Sequence, residues 1–368
     1  MNPLPFSPYS LAPTRPHAPL FPRPVIKYQI VQDKKLQKQV KKDLMKTQTN
    51  IQKRHLGHTD IEITPIGLGV MQFSGSSGFF RGIMPDIHQE QMNAIIKTAL
   101  IGGINWFDTA EIYGRGRSER GLANGLKAAG VKDKEVVIGT KWFPLFRRAS
   151  SIPKTIDDRI HFLDGYTIDL YMIHQPWGFS SPENEMGSMA DLVKDGKICS
   201  VGVSNFNLPR MQSAQAALEK RGLPLAANQV QYSLLNRKIE TNGVLDAARE
   251  TGITIVAWSP LASGLLSGKF HKNPELLDQK PYFRRLMLRR GLERSRPTVN
   301  LLEEIAARHE ATPGQVALNW LINFKGETVV AIPGASKLQQ AEENAGAMKF
   351  RLSDEELSRL DKATRDFR

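Results

Sequence analysis

Four residues of complementary chemistry, Asp108, Tyr113, Lys141 and His174, stand where short apolar runs of this chain give way to polar ones. One at a time, each has an ordinary explanation, since an acid or a phenol beside a strand end is structural or solvated in most proteins. Together they suit the reduction of a carbonyl, in which a hydride reaches carbon and the oxygen has to be protonated. A phenol is the natural donor of that proton, but an unperturbed phenol titrates near pH ~10 and is a weak acid at neutrality. The expectation is that the Lys141 ammonium favours the phenolate and lowers the pKa of Tyr113. Asp108 would hold Lys141 charged and in place, and His174 would orient the substrate oxygen or share the proton. The scheme needs no metal. The single cysteine, Cys199, has no partner for an internal disulfide, and no Cys/His cluster has zinc spacing.

For these residues to meet, distant segments must deliver them to one place. Apolar runs read as strands near Ile66 to Met71, Asn105 to Asp108, Glu135 to Lys141, Ile168 to His174, Ser200 to Ser204, Ala227 to Gln231, Ile253 to Trp258 and Thr328 to Ile332. Amphipathic segments of helical length fall between them near Gln89 to Leu100, Ser118 to Ala129, Thr155 to Leu163, Glu185 to Lys194, Leu208 to Lys220, Ile239 to Glu250, Val299 to His309 and Leu338 to Gly346. Such alternation argues for parallel strands joined by helical crossovers, and eight repeats favour a closed (β/α)8 TIM barrel over an open sheet. The glycine fingerprint of an open dinucleotide-binding sheet is missing, because Gly67-Leu68-Gly69 lies inside the first strand. In a closed barrel the chemistry sits where the strands end. Asp108 ends the second strand, Lys141 the third and His174 the fourth, and Tyr113 follows on the loop after the second.

Outside the repeat, Leu56-Gly57 and Ile61 to Thr64 around His58-Thr59-Asp60 read as a small hairpin. Capping signals at Thr312-Pro313-Gly314-Gln315 and Ser353-Asp354-Glu355-Glu356 open two extra helices. Composition divides the chain into a basic, proline-rich extension over 1–53 and a barrel over 54–368. The net charge of +13 belongs mostly to that extension: residues 1–54 hold eleven Lys and Arg against Asp33 and Asp43. The barrel is thereby given little electrostatic case for a nucleic-acid partner. The first 25 residues read as disordered, and Val25 to Met45 carries Leu36, Val40 and Leu44 at helical spacing. A solvated extension is favoured there over a membrane-surface or partner-binding helix. Met45-Lys46-Thr47 also reads like a start, which would make the preceding 44 residues an upstream extension. No run of about 18 apolar residues is long enough to span a membrane, and a cytoplasmic, reducing location fits the single thiol.

From Arg54 onward the chain resembles the aldo-keto reductases, within them the subgroup of potassium-channel β-subunit-like barrels. The resemblance is carried in order by Phe107-Asp108-Thr109-Ala110-Glu111-Ile112-Tyr113-Gly114, Thr140-Lys141, Ile168-Asp169-Leu170-Tyr171-Met172-Ile173-His174 and Gly202-Val203-Ser204-Asn205-Phe206. It implies NADPH-dependent carbonyl reduction, with Asp108, Tyr113, Lys141 and His174 as the catalytic tetrad. It further implies that Ser204, Asn205 and Gln229 hold the nicotinamide carboxamide and that Trp258 stacks on its ring. Ser259, Leu261, Gly264, Leu266, Gly268 and Lys269 would meet the pyrophosphate. Gly334, Ser336, Gln340, Glu343 and Asn344 would form the adenosine site, and Lys269 with Arg284 or Arg285 would favour NADPH over NADH. The sequence departs from the family at Gln175-Pro176-Trp177 and at Cys199, a position often held by arginine. Phe73, Phe79, Trp142 and Trp177, with Phe80, Met84, Phe143 and Phe179, suggest an apolar mouth for a small hydrophobic aldehyde or ketone. A second reading from another class is an NADPH-binding redox sensor or regulatory subunit with slow turnover. Homo-oligomerisation is compatible with either.

Overall fold

The computed structural model describes residues 51–76 and 86–368, without the side chains of Phe283 and Arg284. The extension through residue 50, and Phe79, Phe80 and Met84, lie outside the described residues. Strands β1 (Arg54–His55) and β2 (Glu62–Ile63) pair antiparallel, with Arg54 opposite Ile63, as the hairpin pattern requires. Gly57 makes the turn possible. Its φ is +58°, and a Cβ there would stand 2.5 Å from the carbonyl oxygen of Ala226, so only glycine gives both the left-handed backbone and the close approach.

The barrel is built from β3 (Leu68–Gly69), β4 (Trp106–Asp108), β5 (Val137–Trp142), β6 (Leu170–Ile173), β7 (Ser200–Ser204), β8 (Leu225–Gln231), β9 (Thr254–Trp258) and β10 (Val329–Ala331), neighbours in that order and all parallel. Parallel bridges from Ile66 to Ala331 and from Gly69 to Gly334 join the two edge strands and close the sheet into the expected (β/α)8 barrel. The period-two alternation of a strand sorts side chains into two layers. Trp106, Leu170, Met172, Ala227, Val256 and Val330 pack inside the barrel, where Leu56 and Ile63 of the hairpin join them. Phe107, Ile138, Tyr171, Val203 and Ile255 point outward into the larger core beneath the helices.

The first helices are α1 (Gln89–Ile101), α2 (Arg117–Ala128), α3 (Ile152–Leu163), α4 (Pro182–Lys194) and α5 (Leu208–Glu219), each close to its expected span. Met92, Ile95, Ile96, Ala99 and Leu100 of α1 recur at three- and four-residue spacing and form its buried face. Ser181 and Asn207 cap α4 and α5, each accepting a backbone N–H from three residues ahead. The expected helix from Ile239 to Glu250 is instead a 3₁₀ turn at Lys238–Glu240 followed by α6 (Val244–Glu250). Gly243, at φ +83°, separates the two, and the Asn242 side chain accepts from the Val244 amide.

The helix expected to begin at Val299 begins earlier, as α7 (Tyr282–Arg308), and runs through Pro297. A proline inside a helix costs about 3 kcal/mol and normally ends it. Here Leu288, Leu292, Val299, Leu302 and Ile305 form one continuous buried stripe across the proline, and the Ser295 hydroxyl donates to the Gly291 carbonyl at 2.7 Å. Helix α8 (Pro313–Asn323) opens on the expected Thr312/Gln315 capping box. After α9 (Leu338–Gly346), α10 (Asp354–Ala363) opens on the Ser353/Glu356 box. No helix among the described residues is long and apolar enough to cross a membrane.

Gly57→Ala is expected to lower stability by about 1–3 kcal/mol, because the left-handed backbone and the contact with Ala226 are both violated. A urea unfolding curve measures this, and an unchanged midpoint would show that the hairpin does not close on the barrel as described.

Candidate active site

Period two places Asp108 of β4 and Lys141 of β5 inside the barrel at its C-terminal end, because Phe107 and Thr140 beside them face the helices. The Lys141 ammonium stands 2.6 Å from Asp108 Oδ1 and donates to the Thr109 carbonyl, also at 2.6 Å, with both side chains buried. Gln229 of β8 donates its amide to Asp108 Oδ2 at 2.8 Å. Tyr113 follows β4 on a short turn, its amide bonded to the Ala110 carbonyl at 3.0 Å. The Lys141 nitrogen lies 5.3 Å from the centroid of the phenol ring. His174, just beyond β6, meets Tyr113 edge to face at 5.6 Å between centroids. The four expected tetrad residues therefore converge on one rim.

The electrostatics differ from the expectation in one respect. Burial pushes the Tyr113 phenol well above its ordinary value, and the Asp108 charge adds to that push. Burial outweighs any lowering by the Lys141 charge, which Asp108 and the Thr109 carbonyl engage. Burial pulls the Lys141 ammonium below its usual value, against the opposing carboxylate of Asp108. His174 is held well below the ordinary imidazole value, by burial first and by Lys141 second, so it is neutral at physiological pH. Its Nδ1 is buried without a hydrogen-bond partner among the described residues. At neutrality the rim thus presents a protonated phenol and a neutral imidazole.

Beside the tetrad, Ser204, Asn205, Gln229 and Trp258 interlock. The Ser204 hydroxyl donates to the Gln229 carbonyl at 2.9 Å, and Asn205 donates to Ser204 Oγ at 3.1 Å and to the His174 carbonyl at 3.3 Å. The Trp258 indole donates to Asn205 Oδ1 at 3.0 Å. Asn205 sits at φ +60°, a left-handed conformation that asparagine tolerates better than most residues. After β9 the backbone turns left-handed at Ser259, Ala262, Ser263, Gly264 and Gly268. Successive turns of this kind make concave nests of amides suited to an anion. A Cβ at Gly264 would stand 3.2 Å from Lys269 Nζ, so the ammonium lies against this loop. Leu265 and Leu266 anchor the loop in the core, leaving backbone rather than side chain to the groove.

The stretch after β10 supplies the far end. Gln340 accepts from the Ser336 amide at 2.8 Å and from its hydroxyl at 3.1 Å, and Asn344 donates to the Gly334 carbonyl at 3.4 Å. Gly334 also admits Gln72, whose amide would meet a Cβ there at 2.2 Å and whose Oε1 is buried without a hydrogen-bond partner among the described residues. Glu343 accepts from Gln339 at 2.8 Å on an exposed face. Arg285 pairs with Asp278 at 3.7 Å, and the Arg284 side chain lies outside the described residues. Left-handed nests and an ammonium folded over a glycine loop suit the phosphates of an extended cofactor, the buried Gln72 oxygen can accept from one of its O–H or N–H groups, and the residues present fit such a cofactor.

The expected apolar mouth is only partly there. Phe73 is wholly buried in the outer core, and Trp142, adjacent to the inward-facing Lys141, points outward and donates its indole N–H to Ser151 Oγ at 3.2 Å. Neither lines the rim. Trp177 does: it is 51% exposed and meets Phe143 edge to face at 6.1 Å, and Phe143 meets His174 likewise at 5.7 Å. Phe146 and Phe179 pair at 6.3 Å farther out and are exposed.

The family model for the aldo/keto reductase family matches residues 65–365. The chain belongs to the aldo/keto reductase family. It is 38% identical over 315 residues to an uncharacterized oxidoreductase of Mycobacterium tuberculosis, covering 83% of this chain and 91% of the relative. A probable aldo-keto reductase of Glycine max is 31% identical over 326 residues, covering 85% and 89% of the two chains. Among solved structures, a thermostable aldo-keto reductase in complex with the inhibitor epalrestat superposes with a TM-score of 0.69 at 31% identity, covering 85% of this chain and all of that one. An aldo-keto reductase from Klebsiella pneumoniae in complex with NADPH shares the fold, with a TM-score of 0.65 at 24% identity over 85% of this chain and 95% of that one.

In this aldo/keto reductase several functional neighbours could not be picked out of the sequence by residue type. Gln229 is expected from the resemblance as a carboxamide ligand, but its hydrogen bond to the tetrad's carboxylate is not. Glu111 and Glu119 meet Arg147 and Arg159 in a charged layer behind the rim. Burial raises the Glu119 carboxyl to about 7, with Arg159 and the Thr140 hydroxyl opposing. The loop bearing Trp177 rests on a further acid. Glu185 of α4 is fully buried, neither carboxylate oxygen has a hydrogen-bond partner among the described residues, and a Cβ at Gly178 would stand 2.5 Å from Oε1.

Burial lifts Glu185 to about 7, against the charge of Arg210. A carboxyl with a raised folded pKa binds its proton more tightly in the fold, so its contribution to stability is lost as pH rises from the ordinary carboxylate value through about 7. Glu185→Gln is therefore expected to raise stability at pH ~8 by about 1–3 kcal/mol and to change it little at pH ~5. Thermal unfolding at the two pH values measures this, and equal effects at both would contradict the assignment.

Proposed function

We propose that this chain reduces aldehydes or ketones to alcohols, with Tyr113 donating the proton and NADPH as the reductant. The observation that carries the reading is the convergence of a buried Lys141–Asp108 pair, a protonated Tyr113 and a neutral His174 on one rim, beside a loop of left-handed turns with Lys269 against it. NADPH, when bound, supplies the hydride. Ser204, Asn205 and Gln229 would hold its carboxamide and Trp258 its ring. The loop from Ser259 to Lys269 would take the pyrophosphate. Gly334, Ser336, Gln340, Glu343 and Asn344 would take the adenosine end, with Lys269 and Arg284 near a 2′-phosphate. A related aldo-keto reductase of Schizosaccharomyces pombe, 31% identical over 280 residues and covering 72% of this chain, carries NADP(+) in its name, which supports the choice of cofactor.

The protein's own groups do the acid chemistry. His174 and Tyr113 converge on the substrate oxygen. As negative charge develops there, the phenol yields its proton to an alkoxide, which is a stronger base than a phenolate. Lys141 places a fixed positive charge behind the ring and so stabilises the phenolate left in its place. Asp108 keeps that ammonium charged and aimed. Phe143 and Trp177 shield the oxygen from water and present an apolar edge, which favours an aromatic or otherwise hydrophobic carbonyl compound.

Tyr113→Phe is expected to lower kcat with an aromatic aldehyde by about 10²–10⁴-fold while leaving the Kd for NADPH within about twofold. Steady-state rates and fluorescence titration measure the two, and a variant with full turnover would overturn the role of Tyr113. Tight NADPH retention by the wild-type chain without turnover on a broad panel of aldehydes and ketones would support the sensor reading instead.

A further inference from the structure

The proton donor and the aromatic wall of the substrate mouth are tied together by a single side chain. Glu111 lies two residues before Tyr113, and its own amide donates to the Lys141 carbonyl at 3.2 Å, continuing the β4–β5 ladder past Asp108. Its side chain is nearly buried, at 10% exposure. Oε1 accepts the Phe143 amide at 2.9 Å and an Arg147 guanidinium N–H, and Oε2 accepts from Arg159 at 3.2 Å.

Both arginines are themselves held. Arg147 donates to the Phe143 carbonyl at 2.9 Å, to Ser151 at 3.1 Å and to Thr155 at 2.9 Å, so it clasps the loop after β5. Arg159 stands 3.2 Å from Glu119, which accepts the Thr140 hydroxyl at 2.8 Å, next to Lys141. The Phe143 ring closes the circuit. It meets His174 edge to face at 5.7 Å, and His174 meets Tyr113 at 5.6 Å on its other side. A chain of contacts thus runs from Tyr113 through His174 and Phe143 to Glu111, which lies two residues before Tyr113 on the same loop.

We propose that Glu111 is a positioning residue for the reduction: it fixes the Phe143 wall relative to the Tyr113 loop, and so sets the distance at which phenol and imidazole share the substrate oxygen. A glutamine cannot replace it. Three donors converge on this carboxylate, and an amide nitrogen in place of one oxygen would turn a donor toward guanidinium donors. Displacement of either loop by a fraction of an ångström misaligns proton transfer without touching the cofactor groove, which is built from β7, β8, β9 and the chain after β10.

The inference rests on the reductase reading, and the test separates the two. The full chain carrying Glu111→Gln, Phe143→Leu or both is assayed with NADPH and an aromatic aldehyde, beside the wild type. Glu111→Gln is expected to lower kcat by roughly 10- to 100-fold while the Kd for NADPH moves by less than about twofold. Because Glu111 acts through Phe143, adding Phe143→Leu to it is expected to cost less than the same change costs in the wild type.

An unchanged kcat in the folded variant, an equal loss of NADPH affinity, or effects that simply multiply would each overturn the proposal. Should Glu111→Gln fail to fold, Arg147→Lys, which keeps the charge but loses the planar fork, carries the test. A smaller fall in kcat with NADPH binding intact supports the proposal, and an unaltered kcat overturns it. A wild-type chain that reduces no carbonyl overturns the reductase reading, whereas a wild type that turns over beside an unaffected variant overturns only the role of Glu111.

Discussion

The burial of one ammonium governs the active end of this barrel. Lys141 has no exposure to solvent, and an isolated charge there would be untenable. It is tolerated because Asp108 and the Thr109 carbonyl receive it at 2.6 Å, and because Gln229, far along the chain on β8, completes the carboxylate's hydrogen bonding. Removing one partner of such a pair costs about 3–5 kcal/mol, since the other is left buried and uncompensated. Strands β4, β5 and β8 are therefore bound to one another at the rim by charge as well as by packing. Closure through Ile66–Ala331 and Gly69–Gly334 holds them in a single ring.

That constraint also divides the labour of the tetrad. Burial, reinforced by the Asp108 charge, sets the resting state of Tyr113 and favours the neutral phenol. The same burial keeps His174 neutral. The site at rest is a proton donor beside an uncharged imidazole, and the ammonium becomes useful as the phenol loses its proton. On the proposed mechanism, Lys141 acts in the transition state rather than on the resting acidity of Tyr113.

Much of this was legible in the sequence because it follows from periodicity. Alternating apolar runs and amphipathic segments specified the barrel, and the strand-end rule brought Asp108, Lys141 and His174 to one rim. The capping boxes at Thr312 and Ser353 located two helix starts. Where the reading went astray, a longer-range effect had won. A continuous buried stripe from Leu288 to Ile305 carried α7 through Pro297 against local propensity. Trp142 was assigned to the mouth by its aromatic character, although the strand period that turns Lys141 inward must turn its neighbour outward. Glu111, Glu119, Arg147 and Arg159 come from four separate segments, and no spacing rule announces that they meet.

The most direct test of the central claim is the single-turnover rate of carbonyl reduction in Lys141→Met, Asp108→Asn and the double variant. If the buried pair acts as one device behind Tyr113, each single change collapses the rate and the double falls no further than the worse single. Losses that multiply in the double variant, or near wild-type rates in either single, would contradict the account.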